Sequence, residues 1–533
     1  MHRLELERAE NQQVQRPFEQ FGWMCWHRDQ LRYRRSIHHD GRRLQFPPAV
    51  RRASTLWRRC QRIDYDAHLS HLHGRRREAA GPRGPAKGSC SSECLGMPFT
   101  AQGAMWALIA VALAVASPAS AQTSPRQRLS ALVPQIERNL RENVVPFWFP
   151  RSVDREHGGY TVHYGPKGKE LPGGTKMIVT QARTLWLASR LLRAKVAEAS
   201  LREAADVGFR FLRDHMWDQE HGGFYWEVDP TGQEVRGPHK HLYGQAFGLY
   251  ALSEYYVATR NREAMELANR LFDLLEEKAW DREYGGYREF FARDWSAAPA
   301  GERPYVGDEV DQKLMNTHLH LLEALTTYVR AGGRALAKER LAELIAIQTQ
   351  AVVRKGWVAC TDRYERDWTP ILDAAGARVS YGHDLENIWL VVDALEALDR
   401  PTAPYHDLFR ELFEYSRTYG YDEEAGGFYD SGPPKKAADR RGKIWWVQAE
   451  ALVSALQMYQ LTADASYADV FEKTWHWVDT HQTDWESGEW YDAIQPDGKP
   501  REANKAHPWK AGYHNGRALV EVLERMASLS ARE

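Results

Sequence analysis

Three histidines stand at comparable places in this sequence, each close to a carboxylate, an amide or an indole. In "KLMNTHLHLLEA", Asn316 and His320 are four apart and share a helix face, whereas His318 points elsewhere. In "SYGHDLENIW", His383 and Glu386 are three apart and also share a face, with Trp389 one turn further along. "KIWWVQAEAL" puts Trp446 and Glu450 on one face. "PWKAGYHNGR" gathers Trp509 and His514 with Tyr, Asn and Arg near the end of the chain. Arg183 in "TQARTLW" and Tyr243 in "HKHLYGQAFGLY" take the matching places in two further segments.

Three chemistries suit such residues. His383 and Glu386 could be two ligands of a metal ion, but there is no H-E-x-x-H and no cysteine cluster, and a third ligand must be assumed. Glu386, Glu450 and Asp492 could supply the two carboxylates of a glycoside hydrolase. The recurring feature is imidazole, however, not paired carboxylates. Two imidazoles facing one carbon suit movement of a proton next to a carbonyl, since histidine serves as base or acid near pH 7. A base on each face of that carbon inverts it. An arginine such as Arg183 would stabilise the enediolate oxygen that develops.

Something must bring these distant residues together, and the chain carries a repeat that could. "REHGGYTVHYGPKGK", "WDQEHGGFYWEVDPTGQE", "WDREYGGYREFF", "YDEEAGGFYDSGPP" and "DWESGEWYDAIQPDGKP" place glycines at 158, 222, 285, 426 and 488. The spacings are 64, 63, 141 and 62, so one copy is missing from the long gap; "RKGWVACTDRYERDW", around Gly356, fits as a degenerate sixth. Such a period holds two helices, a short hairpin and loops. "ARTLWLASRLLRA", "GQAFGLYALSEYYVA", "DLENIWLVVDALEAL" and similar stretches repeat apolar residues at three- and four-residue spacing. Two helices in each of six repeats predict an all-α, closed (α/α)6 barrel with short β-hairpins at the Gly-Gly-aromatic turns. Closure would point all three histidines into one funnel. An open solenoid would need polar capping repeats, and none is visible.

The 20 tryptophans are too many and too large for core alone. Trp226, Trp445, Trp446, Trp490 and Trp509 sit beside Gly, His and Asp at loop–helix joints, where flat rings bordered by polar groups suit a sugar.

The first 96 residues read differently. They carry 18 Arg and 1 Lys against 10 acidic residues, although the whole chain has a net charge of −1. Cys25, Cys60, Cys90 and Cys94 also lie here, and no period of 3.6 or 2 is sustained. A nucleic-acid-binding arm is one reading; translated upstream DNA ahead of the true start is the one adopted. "MPFTAQGAMWALIAVALAVASPASAQTSP" follows, with an apolar run from Met105 to Ala116 and then Ala119-Ser120-Ala121. That is a signal peptide over 97–121 with cleavage before Gln122, its apolar run too short to remain as an anchor. The expected mature chain is 122–533, exported to the periplasm, with Cys360 as its one cysteine.

"MNTHLHLLEA", "SYGHDLENIW", "WWVQAEAL" and "PWKAGYHNGR" together resemble, in this order, the signatures of the N-acylglucosamine 2-epimerase superfamily, and its cellobiose (mannobiose) 2-epimerase branch most closely. The resemblance covers about residues 127–528. It implies a barrel that interconverts glucose and mannose at the reducing end of a β-1,4-linked disaccharide. His383 and His514 would be the acid/base pair at C2, His320 with Asn316 would assist ring opening, and Glu386 would orient His383 or His320. Arg183 would hold the enediolate, Trp389, Trp446 and Trp509 would stack on the sugar, and Tyr243 and Glu450 would bond hydroxyls. The resemblance implies no metal and no nucleotide cofactor. The expected partner is a sugar, with no nucleic acid, no stable membrane insertion and a monomeric state.

Overall fold

A computed structural model describes residues 123–531, apart from 197 and 300. The N-terminal extension (1–96) and the signal segment (97–121) lie outside the described residues. Twelve long helices follow one another: α1 (Pro125–Arg138), α2 (Ile178–Arg193), α3 (Glu198–Phe211), α4 (Leu242–Thr259), α5 (Arg262–Lys278) and α6 (Met315–Arg330). The second half continues with α7 (Leu336–Ala346), α8 (Tyr381–Ala397), α9 (His406–Gly420), α10 (Trp445–Thr462), α11 (Ala465–Trp477) and α12 (Tyr513–Ser530).

The even-numbered helices form a closed inner ring. Each packs on the next, from α2 on α4 through to α10 on α12, and α12 packs back on α2. The odd-numbered helices lie outside them, and α1 closes the outer layer by packing on both α11 and α12. The expected (α/α)6 barrel is therefore the observed fold, and the open solenoid is excluded. The residue pattern explains which helix goes where. In α5 the buried residues are Ala264, Leu267, Ala268, Leu271, Phe272 and Leu275, one stripe at helical spacing. In α2 and α4 every residue from Ile178 to Leu191 and from Leu242 to Tyr255 is buried. A helix covered on all sides belongs between an outer layer and a filled centre.

The Gly-Gly-aromatic turns recur with one geometry. Residues seven apart bridge across each turn: Val153 with Tyr160, Trp217 with Phe224, Trp280 with Tyr287, Tyr421 with Phe428 and Thr483 with Trp490. Gly222 and Gly223 both have φ near +70°, and a Cβ on Gly223 would sit 2.5 Å from Trp295. The degenerate sixth turn pairs Val353–Arg354 with Ala359–Cys360. Its register puts Val358, with φ +54°, where the other turns have their first glycine, so Gly356 is not the equivalent residue.

The strands do more than decorate these turns. The two residues leading into α2 pair with Glu227–Val228 beyond the next repeat's turn, and those leading into α4, α6, α8 and α10 pair likewise with the repeat that follows. A bridge from Tyr164 to Ala506 closes this rim circuit between the first and last repeats.

Two buried devices tie each turn to its inner helix. Gln181, Gln245 and Gln448 each accept the N–H and donate to the C=O of the turn aromatic, Tyr160, Phe224 and Phe428. A lysine two residues before the helix pairs with the aspartate of the turn in four repeats, Lys176–Asp154, Lys240–Asp218, Lys313–Asp281 and Lys443–Asp422, and Lys505, further ahead of α12, pairs with Asp484 in the same way. Before α8, Arg354 and Val379 stand in these places, so that repeat has no such pair.

Candidate active site

The first turns of the inner helices carry Tyr243, Asn316, His383, Trp446 and His514. The second turns carry Arg183, His320, Glu386, Glu450 and Arg517, and the third carry Glu323 and Trp389. His318 belongs to the scaffold: it is fully buried and accepts the Tyr287 N–H (3.0 Å), the task glutamine performs in three other repeats.

Trp446 packs against two of the predicted imidazoles. Its ring centre is 4.8 Å from that of His383 and 5.8 Å from that of His514. His514 Nδ1 lies 2.7 Å from Glu450 Oε1. His320 Nδ1 lies 3.1 Å from Glu323 Oε2, and its ring packs against Tyr243 and Phe247. His383 makes no hydrogen bond to a described residue. Burial pushes His383 down to about 3, with the nearby His320 adding to the shift. Burial, with Arg183 and Arg517, holds His514 well below the ordinary imidazole range. Both rings are therefore neutral at pH 7, with a lone pair free for a proton.

Below them, Arg517 gathers three carboxyls. Its Nη2 donates to Glu386 Oε1 (2.8 Å) and Glu450 Oε1 (2.7 Å), and its Nη1 donates to Glu323. Burial raises the Glu323 carboxyl, but Arg517, His320 and Tyr513 outweigh it and hold the group at about 2. Burial and the neighbouring Glu450 push Glu386 up to about 7. Its Oε2 has no hydrogen-bond partner among the described residues.

These contacts correct several assignments made from sequence. Glu386 bonds Arg517 and neither predicted histidine; the carboxylates that touch imidazoles are Glu450 and Glu323. Glu450 is fully buried, with Oε1 against His514 and Arg517 and Oε2 accepting the Trp389 N–H (2.9 Å), so it stands behind the site rather than at its open face. Trp389 is buried with the guanidinium of Arg517 4.8 Å from its ring centre, so it offers no face to a sugar. Trp226, Trp445 and Trp490 are buried too, and Trp226 is stacked on Tyr305. Trp509, 42% exposed, and half-buried Trp446 remain as open platforms.

Arg183 Nη2 donates to the Tyr243 hydroxyl (3.1 Å), and its guanidinium lies 4.3 Å from the Phe247 ring centre. Asn316 is fixed through its backbone N–H to Asp362, and its buried Oδ1 has no partner among the described residues. Glu323, Tyr513 and Arg517 were not singled out as site residues, although Glu323 follows His320, and Arg517 follows His514, at a spacing of three.

The arrangement also bears on the two alternative chemistries. Glu386, Glu450 and His514 place ligand atoms within 4.8 Å of one another. A single guanidinium nitrogen already lies between the two carboxylates, supplying the positive charge there. The same nitrogen fills the space where a sugar ring would have to lie between two hydrolytic carboxylates. Asp492, the third hydrolytic candidate, bonds Arg501 and His507.

Residues 158–518 match the N-acylglucosamine 2-epimerase (GlcNAc 2-epimerase) family. The chain belongs to this family. It is 32% identical over 407 residues to the cellobiose 2-epimerase of Dictyoglomus turgidum, covering 75% of this chain and all of that protein. The solved cellobiose 2-epimerase of Bacillus thermoamylovorans superposes with a TM-score of 0.68 at 32% identity, covering 74% of this chain and 99% of that one. A D-mannose isomerase of Marinomonas mediterranea is 25% identical over 398 residues, 72% of this chain and 95% of that protein.

Proposed function

We propose that this chain is a 2-epimerase interconverting reducing-end glucose and mannose in β-1,4-linked disaccharides such as cellobiose and mannobiose. The observation that carries the reading is the packing of both His383 and His514 against one indole, Trp446. A sugar stacked at Trp446 meets one imidazole from α8 and another from α12. One neutral imidazole takes the C2 proton, and the C2–H electron pair moves toward C1, leaving an enediolate. The Arg183 guanidinium stabilises that negative oxygen. The other imidazole returns a proton to the opposite face of C2 and inverts it. Burial keeps both rings neutral in the free protein, so the returning proton must be supplied. The second imidazole takes that proton from solvent and the first gives its own back to solvent after turnover, because Glu386, though raised to about 7, bonds Arg517 and neither ring. Glu450 favours the imidazolium that forms on His514.

The test is incubation of residues 122–533 with cellobiose in D2O, followed by NMR. Glucosyl-mannose with deuterium at C2 is expected. A ketose end would replace the reading with an aldose–ketose isomerase, and free glucose would replace it with a hydrolase.

The same reading takes the protein to act after export, as a monomer. The A-x-A site before Gln122 supports export, and among the described residues no helix is long and apolar enough to cross a membrane. A mature N-terminus at Gln122 in the periplasmic fraction is expected, with a monomer's mass in light scattering. A native peptide from residues 1–96 would overturn the processing scheme.

A further inference from the structure

We propose that Arg517 is a positioning residue that holds His514 and His320 in place together, acting through Glu450 on the first and through Glu323 on the second. The assay, though not the geometry, rests on the 2-epimerase reading above.

Arg517 is fully buried and stands one turn beyond His514 on α12. Aromatic rings box it in, with Tyr513 4.4 Å and Trp389 4.8 Å from its guanidinium carbon to ring centre. Its donors go to carboxyls from three other inner helices, Glu323 of α6, Glu386 of α8 and Glu450 of α10. Glu450 touches His514 Nδ1, and Glu323 touches His320 Nδ1. An ionised carboxylate at Nδ1 fixes the tautomer and leaves Nε2 with its lone pair. One guanidinium thus sets both imidazoles through one intermediary each.

Charge and shape both require arginine here. Three carboxyls facing one another out of water would take up protons without a cation among them. Protonated, Glu450 and Glu323 would no longer favour an imidazolium. A lysine brings the charge but not the planar fork that reaches several acceptors at fixed angles. Glu386, the member of the cluster that touches no imidazole, is the carboxyl left to hold a proton.

The experiment compares wild type with Arg517→Lys for melting temperature, kcat, KM and the pH profile of kcat on cellobiose. A folded Arg517→Lys should lose about 100-fold in kcat, the scale of a misplaced catalytic group, with KM little changed. Its pH profile should shift. If Arg517→Lys does not fold, Glu323→Gln and Glu450→Gln, singly and together, keep Arg517 in place. Their joint loss in kcat should fall well short of the product of the single losses. NMR titration of the His514 and His320 rings gives a readout that needs no turnover, and Arg517→Lys should move both. Multiplicative losses in the Glu323–Glu450 cycle would overturn the proposal. So would an Arg517→Lys enzyme that melts earlier yet keeps the wild-type kcat, pH profile and ring titrations. Absence of C2 exchange in wild type would instead overturn the 2-epimerase reading, and the ring titrations would still decide the role of Arg517.

Discussion

His514 Nδ1 lies 2.7 Å from Glu450 Oε1, in a contact between helices whose residues are 64 apart in the chain. His383, the other imidazole beside Trp446, has no such carboxylate among the described residues. The two bases are therefore unequal: the one on α12 has a carboxylate to meet it when it takes a proton, set against the burial and the arginines that keep it neutral in the free protein, and the one on α8 has none.

Glu450→Gln tests that inequality. The amide keeps the volume and the contact with Trp389 but removes the anion beside His514. We expect kcat to fall about 100-fold with KM little changed, because the interaction strengthens only as the imidazolium forms. Deuterium entry at C2, starting separately from the glucose and mannose epimers, should slow more in the direction that uses His514 as the base. Equal slowing in both directions would place Glu450 outside the proton step.

Much of this site is legible in the sequence. Helical spacing marks Asn316 with His320, and the repeat of about 63 residues points to a ring that brings such pairs together, with an open solenoid as the alternative. Contacts between repeats were not legible. Nothing local says that Glu450 reaches His514, or that Glu386 turns to Arg517, because each is a lateral contact between inner helices. Trp389 misleads for the same reason: its spacing from Glu386 is right, but a neighbouring guanidinium covers its ring. Gly356 misled in another way, since the chain there makes its left-handed turn with Val358.

The pH dependence of stability should carry the mark of His383. Its folded value of about 3 lies below the 6.5 of an unperturbed imidazole, so in that window the unfolded chain binds a proton that the folded chain refuses. The contribution is fully present above pH 6.5 and is lost as pH falls toward 3. Glu386, raised to about 7 from 4.5, works in the opposite sense: its contribution is present at low pH and lost as pH rises through 7. Urea unfolding at pH 4.5, 5.5, 6.5 and 7.5 should show His383→Asn flattening the acid side of the wild-type profile. Glu386→Gln should instead flatten the fall near pH 7. Unchanged slopes in both variants would mean that neither group is held in its neutral form.

The tryptophans should separate by kinetic constant. Trp446→Ala and Trp509→Ala remove open faces at the mouth, and each should raise KM by about 10-fold, the scale of one lost stacking contact. Trp389→Phe keeps the ring against Arg517 and deletes the N–H donated to Glu450. It should lower kcat by a few-fold and leave KM where it was. A rise in KM from Trp389→Phe as large as that from Trp509→Ala would restore Trp389 as a sugar platform.

The rim ion pairs make the last prediction, and the repeat before α8 supplies its control. Lys240 and Asp218 are both fully buried and 2.9 Å apart, with Arg293 on the same carboxylate at 3.0 Å. Lys240→Met leaves Asp218 buried with only the more exposed Arg293 to meet it. Breaking such a pair on one side should cost about 3 kcal/mol in chemical denaturation. Removing both partners should cost less, because no charge is left stranded. The chain already shows an apolar residue in the lysine's place, where Val379 precedes α8 and Arg354 replaces the aspartate. Lys240→Met combined with Asp218→Asn should therefore recover part of the loss. If the double variant is less stable than Lys240→Met alone, the Asp218 carboxylate contributes more through its turn, where it accepts the Glu220 and His221 N–H groups, than through the lysine.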